Sequence, residues 1–274
     1  MPITQERAAQ LREMCRQFRV DVLKSINRAQ SGHCGGSLSV CEILTLLYQE
    51  RAHLNPENPQ DPTRDRIVLS KGHAAPMLYR NLAELGYFPK EDMDYLRKFG
   101  CHLQGHPSFH TPGVEMPSGP LGIGFGAAQG MALGFKILKN PARVYAILGD
   151  GEIDEGTIWE TAMSCPKYGL DNLTAILDYN KVQLDGTNDE IMPLRDIEGK
   201  WRAFGWNVIR CDGHDIVALS DALDQAEACK GVPTMIIADT IKGKGVSFME
   251  GKSSWHGAAL SDENLALALK ELEG

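Results

Sequence analysis

The chain of 274 residues predicts an α/β fold, a doubly wound parallel sheet with helices on both faces. Three observations predict it. Five short apolar, β-favouring runs, at 67–69, 143–148, 173–177, 206–211 and 234–240, alternate with helix-patterned segments, and that alternation gives a parallel sheet rather than a sandwich or a bundle. The run 143–148 stops at Gly149 and the run 173–177 ends just before Asn180; the 180 − 150 = 30 residues between Asp150 and Asn180 hold one helix, which is one right-handed βαβ unit. The length is also near the point where a single hydrophobic core stops growing, so residues 1–274 are expected to form one large domain.

The elements follow in order. Leu11, Cys15, Phe18, Val22 and Ile26 recur at steps of three and four, so 4–29 is a long amphipathic helix that ends at Ser31-Gly32. Residues 38–48 are too apolar all round for a surface helix and read as a buried one. The segment 55–66, with three prolines and several charges, reads as a surface loop. Strand 67–69 leads to a helix over 75–85. The glycine- and alanine-rich stretch 122–138 suggests a helix packed closely on the sheet, with Gly126 and Gly130 at the contact. Strands 206–211 and 234–240 flank a helix over 216–229. The chain carries no internal repeat and no low-complexity tract.

Composition excludes several functions. A net charge of −8 and a sequence pI of about 5.5 argue against nucleic-acid or anionic-membrane partners, since both need a basic surface. The first seven residues are polar, and no run approaches the roughly 18 apolar residues of a spanning helix, so a cytoplasmic protein is expected. Seven cysteines without a Cys-x-x-Cys pair suit reduced, buried thiols better than disulfides or zinc.

The chemistry concentrates around Gly149-Asp150-Gly151 and Asn180. Carboxyl ends of neighbouring parallel strands face one crevice, so Asp150 and Asn180 can converge there. A carboxylate and an amide oxygen are hard ligands suited to Mg²⁺, whose shell is completed by waters and substrate phosphates, and the pair reads as a magnesium diphosphate site. Asp-Gly is also a common turn dipeptide, so the motif needs company. Gly122-x-Gly124-x-Gly126 is not a dinucleotide fingerprint: its spacing is wrong and no strand feeds it. Four histidines, His33, His73, His106 and His256, each adjoin a glycine. Glu155 and Glu160 sit where acidic residues favour a helix amino terminus.

Ser31-Gly32-His33, Ser70-Lys71-Gly72-His73-Ala74, Gly105-His106-Pro107, Gly119-Pro120-Leu121-Gly122, Gly149-Asp150-Gly151 with Asn180, and Trp255-His256-Gly257 occur in one order along nearly the whole chain. Together they resemble the transketolases, which use thiamine diphosphate. The resemblance implies a ketol-transferring enzyme with thiamine diphosphate and Mg²⁺, Ca²⁺ or Mn²⁺ being able to substitute for the metal. It implies that Asp150, Asn180 and the Val182 backbone carbonyl hold the metal, that Gly119, Pro120 and Leu121 pack against the cofactor rings, and that His73, Gly151 and Lys242 face its diphosphate. A solvated Lys242 is nearly as plausible. His33 and His256 are implied to contact substrate hydroxyls and assist proton transfer, and His106 to hold the C1 hydroxyl. Glu155 and Glu160 are implied to be relay and interface residues linking to an activating glutamate on another subunit. His53, His102, His110 and His214 are assigned to the surface or to packing. Ala258 stands where some relatives carry a second lysine.

The chain resembles only the amino-terminal half of full-length transketolases. The expectation is a split enzyme that acts on sugars or sugar phosphates, needs a carboxy-terminal subunit carrying the pyrimidine-binding domain, and self-associates, giving α₂β₂. Two alternatives stay open at this point. One is another thiamine enzyme, such as a deoxyxylulose phosphate synthase or the first component of a 2-oxo acid dehydrogenase. The other is a silent regulatory subunit.

Overall fold

The computed structural model describes residues 2–274; Met1, the first residue of the polar amino-terminal stretch, lies outside them. Helix α1 runs from Gln5 to Ala29, capped by the Thr4 hydroxyl, which accepts from the Arg7 N–H at 3.1 Å. Its periodic residues Leu11, Cys15, Phe18, Val22 and Ile26 are all buried, and it stops where Gln30 turns left-handed at φ 48°. The buried helix expected over 38–48 is present but broken. It forms α2 (Cys34–Ser39) and α3 (Cys41–Leu46), which meet at Val40 and run on into a π-helical turn, Leu47–Arg51.

Next come β1 (Arg66–Leu69), α4 (Ala75–Glu84), α5 (Ile123–Ile137), β2 (Val144–Gly149), α6 (Gly156–Lys167) and β3 (Leu173–Tyr179). The short α7 (Asn188–Ile191) and α8 (Ile197–Ala203) precede β4 (Asn207–Asp212), α9 (Ile216–Ala228), β5 (Thr234–Asp239) and α10 (Asp262–Glu273). All pairings are parallel, in the order β1-β2-β3-β5-β4.

Alternation along the strands divides the core in two. Tyr145, Ile147, Ile176 and Ile236 pack against α1, α3, α4 and α9 on one face. Val144, Ala146, Leu148, Leu173, Ala175 and Leu177 pack against α5, α6 and α8 on the other. A strand buried on both faces has no polar positions to spare, which is why these runs read as continuously apolar. Each fully buried Ile, Leu or Val contributes about 1.5–3 kcal/mol relative to exposure. The register sets Gly149 opposite Asp178, so the chain leaves β2 and β3 side by side.

Two sequence expectations need correcting. The loop 55–66 is not wholly at the surface: Arg64 and Asp65 are buried, Arg64 pairing with Glu115, and Asp65 accepting the His53 N–H at 2.9 Å and the Arg143 N–H at 2.7 Å. Gly130 is exposed with open space around it, and Gly126 has only the Thr161 hydroxyl near the place of a Cβ, at 3.7 Å. The close approach of α5 to the sheet is at Gly124, where a Cβ would lie 2.8 Å from Ser70 Cα. All seven cysteines are free. Among the described residues no helix is long and apolar enough to cross a membrane.

Candidate active site

The carboxyl ends of β1, β2, β3 and β5 open into one cavity of about 280 Å³. The loops after β1 and β2 supply Lys71, His73 and Asp150 to its wall. The loop after β3 supplies Asn180 and Val182, and the one after β5 supplies Lys242. His33 enters from the start of α2, and His106, Gly119, Leu121 and His256 come from loops with no strand of their own.

Its floor is acidic. Asp150 is buried; its Oδ1 accepts from the Gly151 N–H at 3.0 Å, and its Oδ2 accepts from Asn188 Nδ2 at 3.0 Å and from the Lys181 N–H. Lys181 aims that N–H by adopting φ 69°, a conformation that a non-glycine residue rarely takes. Burial, and then the neighbouring Asp178 charge, push the Asp150 carboxyl up to about 6. Asp178 lies within β3 with no exposure, contacted by Lys71 Nζ, the Thr240 hydroxyl and the Ser39 hydroxyl, the last at 2.6 Å. Burial raises the Asp178 carboxyl, but the Lys71 charge and these hydrogen bonds outweigh it and leave the group below its ordinary value. Glu152, also buried, accepts from the Ser70 hydroxyl, from the Gly122 N–H at 2.8 Å and from the Gly149 N–H at 3.0 Å. Burial pushes its carboxyl up as well.

These contacts say what the site lacks. Asp178 has a cation and Asp150 has none in salt-bridge range among the described residues. Asn180 Oδ1 and the Val182 carbonyl, both on the same wall, are hard oxygen donors beside Asp150. These three groups could hold a divalent cation.

The four histidines expected from separate motifs converge. His33 lies 5.6 Å from His73, 5.8 Å from His106 and 5.5 Å from His256, ring centre to ring centre, and His73 lies 4.9 Å from His256. All are held below the ordinary imidazole range, mainly by burial. Burial and then the His106 charge bring His33 to about 4; burial and then Lys242 bring His256 to about 3. Burial and Lys71 depress His73, while burial and Arg97 depress His106. Near neutral pH each ring is therefore uncharged, with one donor and one acceptor nitrogen. His33 Nδ1 is buried without a partner among the described residues.

Lys242 is not solvated, which removes that alternative. It is 2% exposed, and its Nζ meets the Val182 carbonyl at 3.0 Å, the Gln183 carbonyl at 2.8 Å and His256 Nδ1 at 2.9 Å. Burial and then the Lys71 charge lower its pKa to about 8. It has no carboxylate in salt-bridge range among the described residues, so its charge suits an anion in the cavity.

Three expected residues lie elsewhere. Pro120 is exposed and off the cavity wall, because Gly119 and Leu121 on either side turn inward instead. Glu155, at the residue preceding α6 and without a side-chain capping bond, and Glu160 are also exposed and outside the wall. Of the remaining histidines, His214 and His102 are held in packing, against Glu42 at 2.8 Å and Asp92 at 3.0 Å. Sequence reasoning missed Lys71, Asp178 and Glu152. The available signals were a charge inside an otherwise apolar strand at Asp178, and Glu152 two residues past Asp150.

Comparisons with known proteins bear on the family and the fold. The family model described as transketolase, thiamine diphosphate binding domain, matches residues 10–273. A 6-deoxy-6-sulfo-D-fructose transketolase subunit SqwG from Clostridium sp. (strain MSTE9) is 47% identical over 98% of this chain and 98% of its own length. An apulose-4-phosphate transketolase subunit from Actinobacillus succinogenes is 40% identical over 92% of this chain and 91% of its own. Among solved structures, the transketolase of Campylobacter jejuni superposes with a TM-score of 0.91 at 32% identity, covering 96% of this chain. This chain spans 42% of that protein's length.

Proposed function

This chain belongs to the transketolase family, as its thiamine diphosphate-binding amino-terminal subunit, and from that premise we propose how its cavity works. The carrying observation is that Asp150, Asn180, Val182 and four uncharged histidines, drawn from distant motifs, share one wall at the carboxyl edge of the sheet.

In this reading Asp150, Asn180 and the Val182 carbonyl hold Mg²⁺, whose charge relieves the unpaired Asp150 carboxylate. His73, Gly151 and the Lys242 charge face the diphosphate, while Gly119 and Leu121 border the rings. When bound, thiamine diphosphate supplies the carbon centre that takes up and passes on a two-carbon ketol unit. The protein's own task is orientation and proton placement. Because His256 Nδ1 accepts from Lys242, the imidazole proton rests on Nε2, where it can be given to a substrate oxygen. His33 and His106, also uncharged, can donate to or accept from sugar hydroxyls. No charged histidine competes with Mg²⁺ for the diphosphate.

The cavity, at about 280 Å³, falls below the roughly 300–1,000 Å³ of pockets that enclose a drug-sized ligand. It is read as one wall of a cleft. The relatives matched along nearly their whole length carry subunit names, which supports a carboxy-terminal partner bearing the pyrimidine-binding domain. Exposed Glu155 and Glu160 then lie at a subunit interface, in an α₂β₂ assembly of closed symmetry acting in the cytoplasm on a ketose or ketose phosphate and an aldose acceptor. Residues 1–274 serve as a single diphosphate-binding domain. The matches described above are to transketolases and transketolase subunits, and the proposed site residues line one cavity, which supports this reading over the two alternatives weighed from sequence. The experiment is a ketol-transfer assay on this chain alone, on the partner alone and on the mixture, with mass read by light scattering. Activity only in the mixture is expected. Robust turnover by this chain alone overturns the split-enzyme reading.

A further inference from the structure

After β3 the chain turns back on itself. The Gln183 N–H donates to the Gly186 carbonyl at 2.8 Å, Val182 pairs with Thr187 in an antiparallel bridge, and the Asn188 N–H donates to the Lys181 carbonyl at 3.0 Å. Thr187 then caps the one-turn α7, with Glu190 completing the capping box, which fixes Asn188 as the first residue of that helix. The hairpin sets Lys181 and Asn188 side by side, and both donate to the same atom, Oδ2 of Asp150.

Asn188 does so from outside the cavity. It is 4% exposed and lies off the wall, so it reaches the cavity only through Asp150. Its Nδ2 meets Oδ2 at 3.0 Å, while its own Oδ1 is buried without a partner among the described residues. A buried acceptor with no donor is a cost that an apolar side chain of the same shape would not carry. What the amide contributes is therefore on its donor side, at Asp150.

A carboxylate has about four acceptor positions, roughly two on each oxygen. At Asp150 both positions of Oδ2 are filled, by the Lys181 N–H and by Asn188, and Oδ1 holds one bond, from the Gly151 N–H at 3.0 Å. The position left over is on Oδ1. With Oδ2 engaged, Asp150 can offer a cation one oxygen but cannot turn to offer two. Mg²⁺ demands a near-ideal octahedron of single oxygens, whereas the larger Ca²⁺ takes roughly 6–8 and accepts carboxylates through one oxygen or both.

We propose that Asn188 is a positioning residue that holds Asp150 to one-oxygen ligation and so biases the site toward Mg²⁺ over Ca²⁺. This rests on the metal reading above, in which Asp150 is a ligand. Removing the amide frees one side of Oδ2 and admits the two-oxygen grip that suits the larger ion.

The test uses the complex of this chain with its partner subunit. Thiamine diphosphate binding is titrated calorimetrically against Mg²⁺ or Ca²⁺ for wild type, Asn188→Leu, Asn188→Ala and Asn188→Gln. The first two variants are expected to lower the ratio of Mg²⁺ to Ca²⁺ affinity about tenfold, the scale of a lost hydrogen bond to a charged group, with Mg²⁺ weakened and Ca²⁺ not. Asn188→Gln keeps an amide donor and should restore part of the ratio. An unchanged ratio, or equal losses with both ions, overturns the proposal; equal losses would make Asn188 a structural neighbour of Asp150 and no more. The metal reading itself fails, and the proposal with it, if wild type binds the cofactor equally well without a divalent ion or if Asp150→Asn keeps the full metal requirement. Failure of the proposal alone leaves the wild-type requirement in place. Should no variant at 188 fold, infrared difference spectra of the wild type with and without each ion decide the matter, since a wide separation of the two carboxylate stretches marks one-oxygen binding and a narrow one marks two. A wide separation with both ions, absent from Asp150→Asn, supports the proposal, and a narrow one with Ca²⁺ overturns it.

Discussion

Replacing Lys71 with methionine is the sharpest test of how the cavity floor is held together. Lys71 is 1% exposed and Asp178 not at all, so their contact is a buried ion pair. Breaking such a pair from one side costs about 3–5 kcal/mol, because the remaining charge stays in a medium that solvates it poorly. Asp178 would keep its hydrogen bonds from Ser39 and Thr240, which limits the loss. Two further effects push the other way. The Lys71 charge also offsets burial at Asp150 and Glu152, and the Gly36 carbonyl loses a donor at 3.2 Å. The upper part of the range, about 4–5 kcal/mol, is therefore expected for Lys71→Met, or a fall in Tm of roughly 8–20 °C for a chain of this size.

The pH dependence carries a sign. In the wild type the folded Asp178 carboxyl lies below its ordinary value of 3.8, so the stability it confers is present above 3.8 and is lost as pH falls through the folded value. In Lys71→Met burial acts without the cation, the carboxyl rises above its ordinary value, and the variant should gain stability as pH falls from neutral. Urea unfolding at pH 7.5 and 5.5 reads both effects. The double variant Lys71→Met/Asp178→Asn removes the orphaned charge and should recover most of the loss at neutral pH. A cost below about 1 kcal/mol for Lys71→Met, or a double variant no more stable than the single one, would refute the reasoning.

Three further outcomes follow from the same geometry. Asp150→Asn keeps an acceptor for Lys181 and Asn188 but removes the charge, and calorimetric titration of the assembled complex should show Mg²⁺-dependent cofactor binding weakened at least tenfold, about 1.4 kcal/mol; wild-type affinity would remove Asp150 from the metal site. His256→Ala should lower ketol transfer by roughly 10²-fold, the scale of a lost positioned acid, in steady-state assays with cofactor affinity changed far less. For Glu42, burial is outweighed by Arg19 and His214, leaving its carboxyl at about 2 against an ordinary 4.5; the stability it gives should be complete above 4.5 and fade as pH falls toward 2, and Glu42→Gln should flatten that part of the chemical-denaturation profile.

What the sequence made legible was whatever leaves a periodic or punctuated trace. Strands β1, β2, β3 and β5 are visible because burial makes them almost continuously apolar, whereas the half-buried edge strand β4 shows only as a short β-favouring run around Val208 and Ile209. The site histidines are visible because each adjoins a glycine within a motif, and the loops that carry them meet at one sheet edge. The helices α7 and α8, of four and seven residues, leave no trace because so few turns cannot display a period, and the 12-residue α10 is signalled in the sequence only by its Ser261 cap. Gly130 misled because small residues mark close packing only where another element approaches.

Buried charges were the hardest to read, since their meaning depends on a partner distant in sequence. Asp178 is the polar tail of an apolar run until Lys71, 107 positions away, supplies its counter-charge. Lys242 shows how far such a partner can change a role. An ammonium has three hydrogens, and here all three have acceptors: the Val182 and Gln183 carbonyls and His256 Nδ1. To donate directly to a diphosphate it must give one of them up. With all three kept, it acts on an anion through its charge, while fixing the carbonyl read as a metal ligand and the tautomer of the histidine read as a proton donor. The same buried nitrogen thus ties the metal side of the cavity to its substrate side.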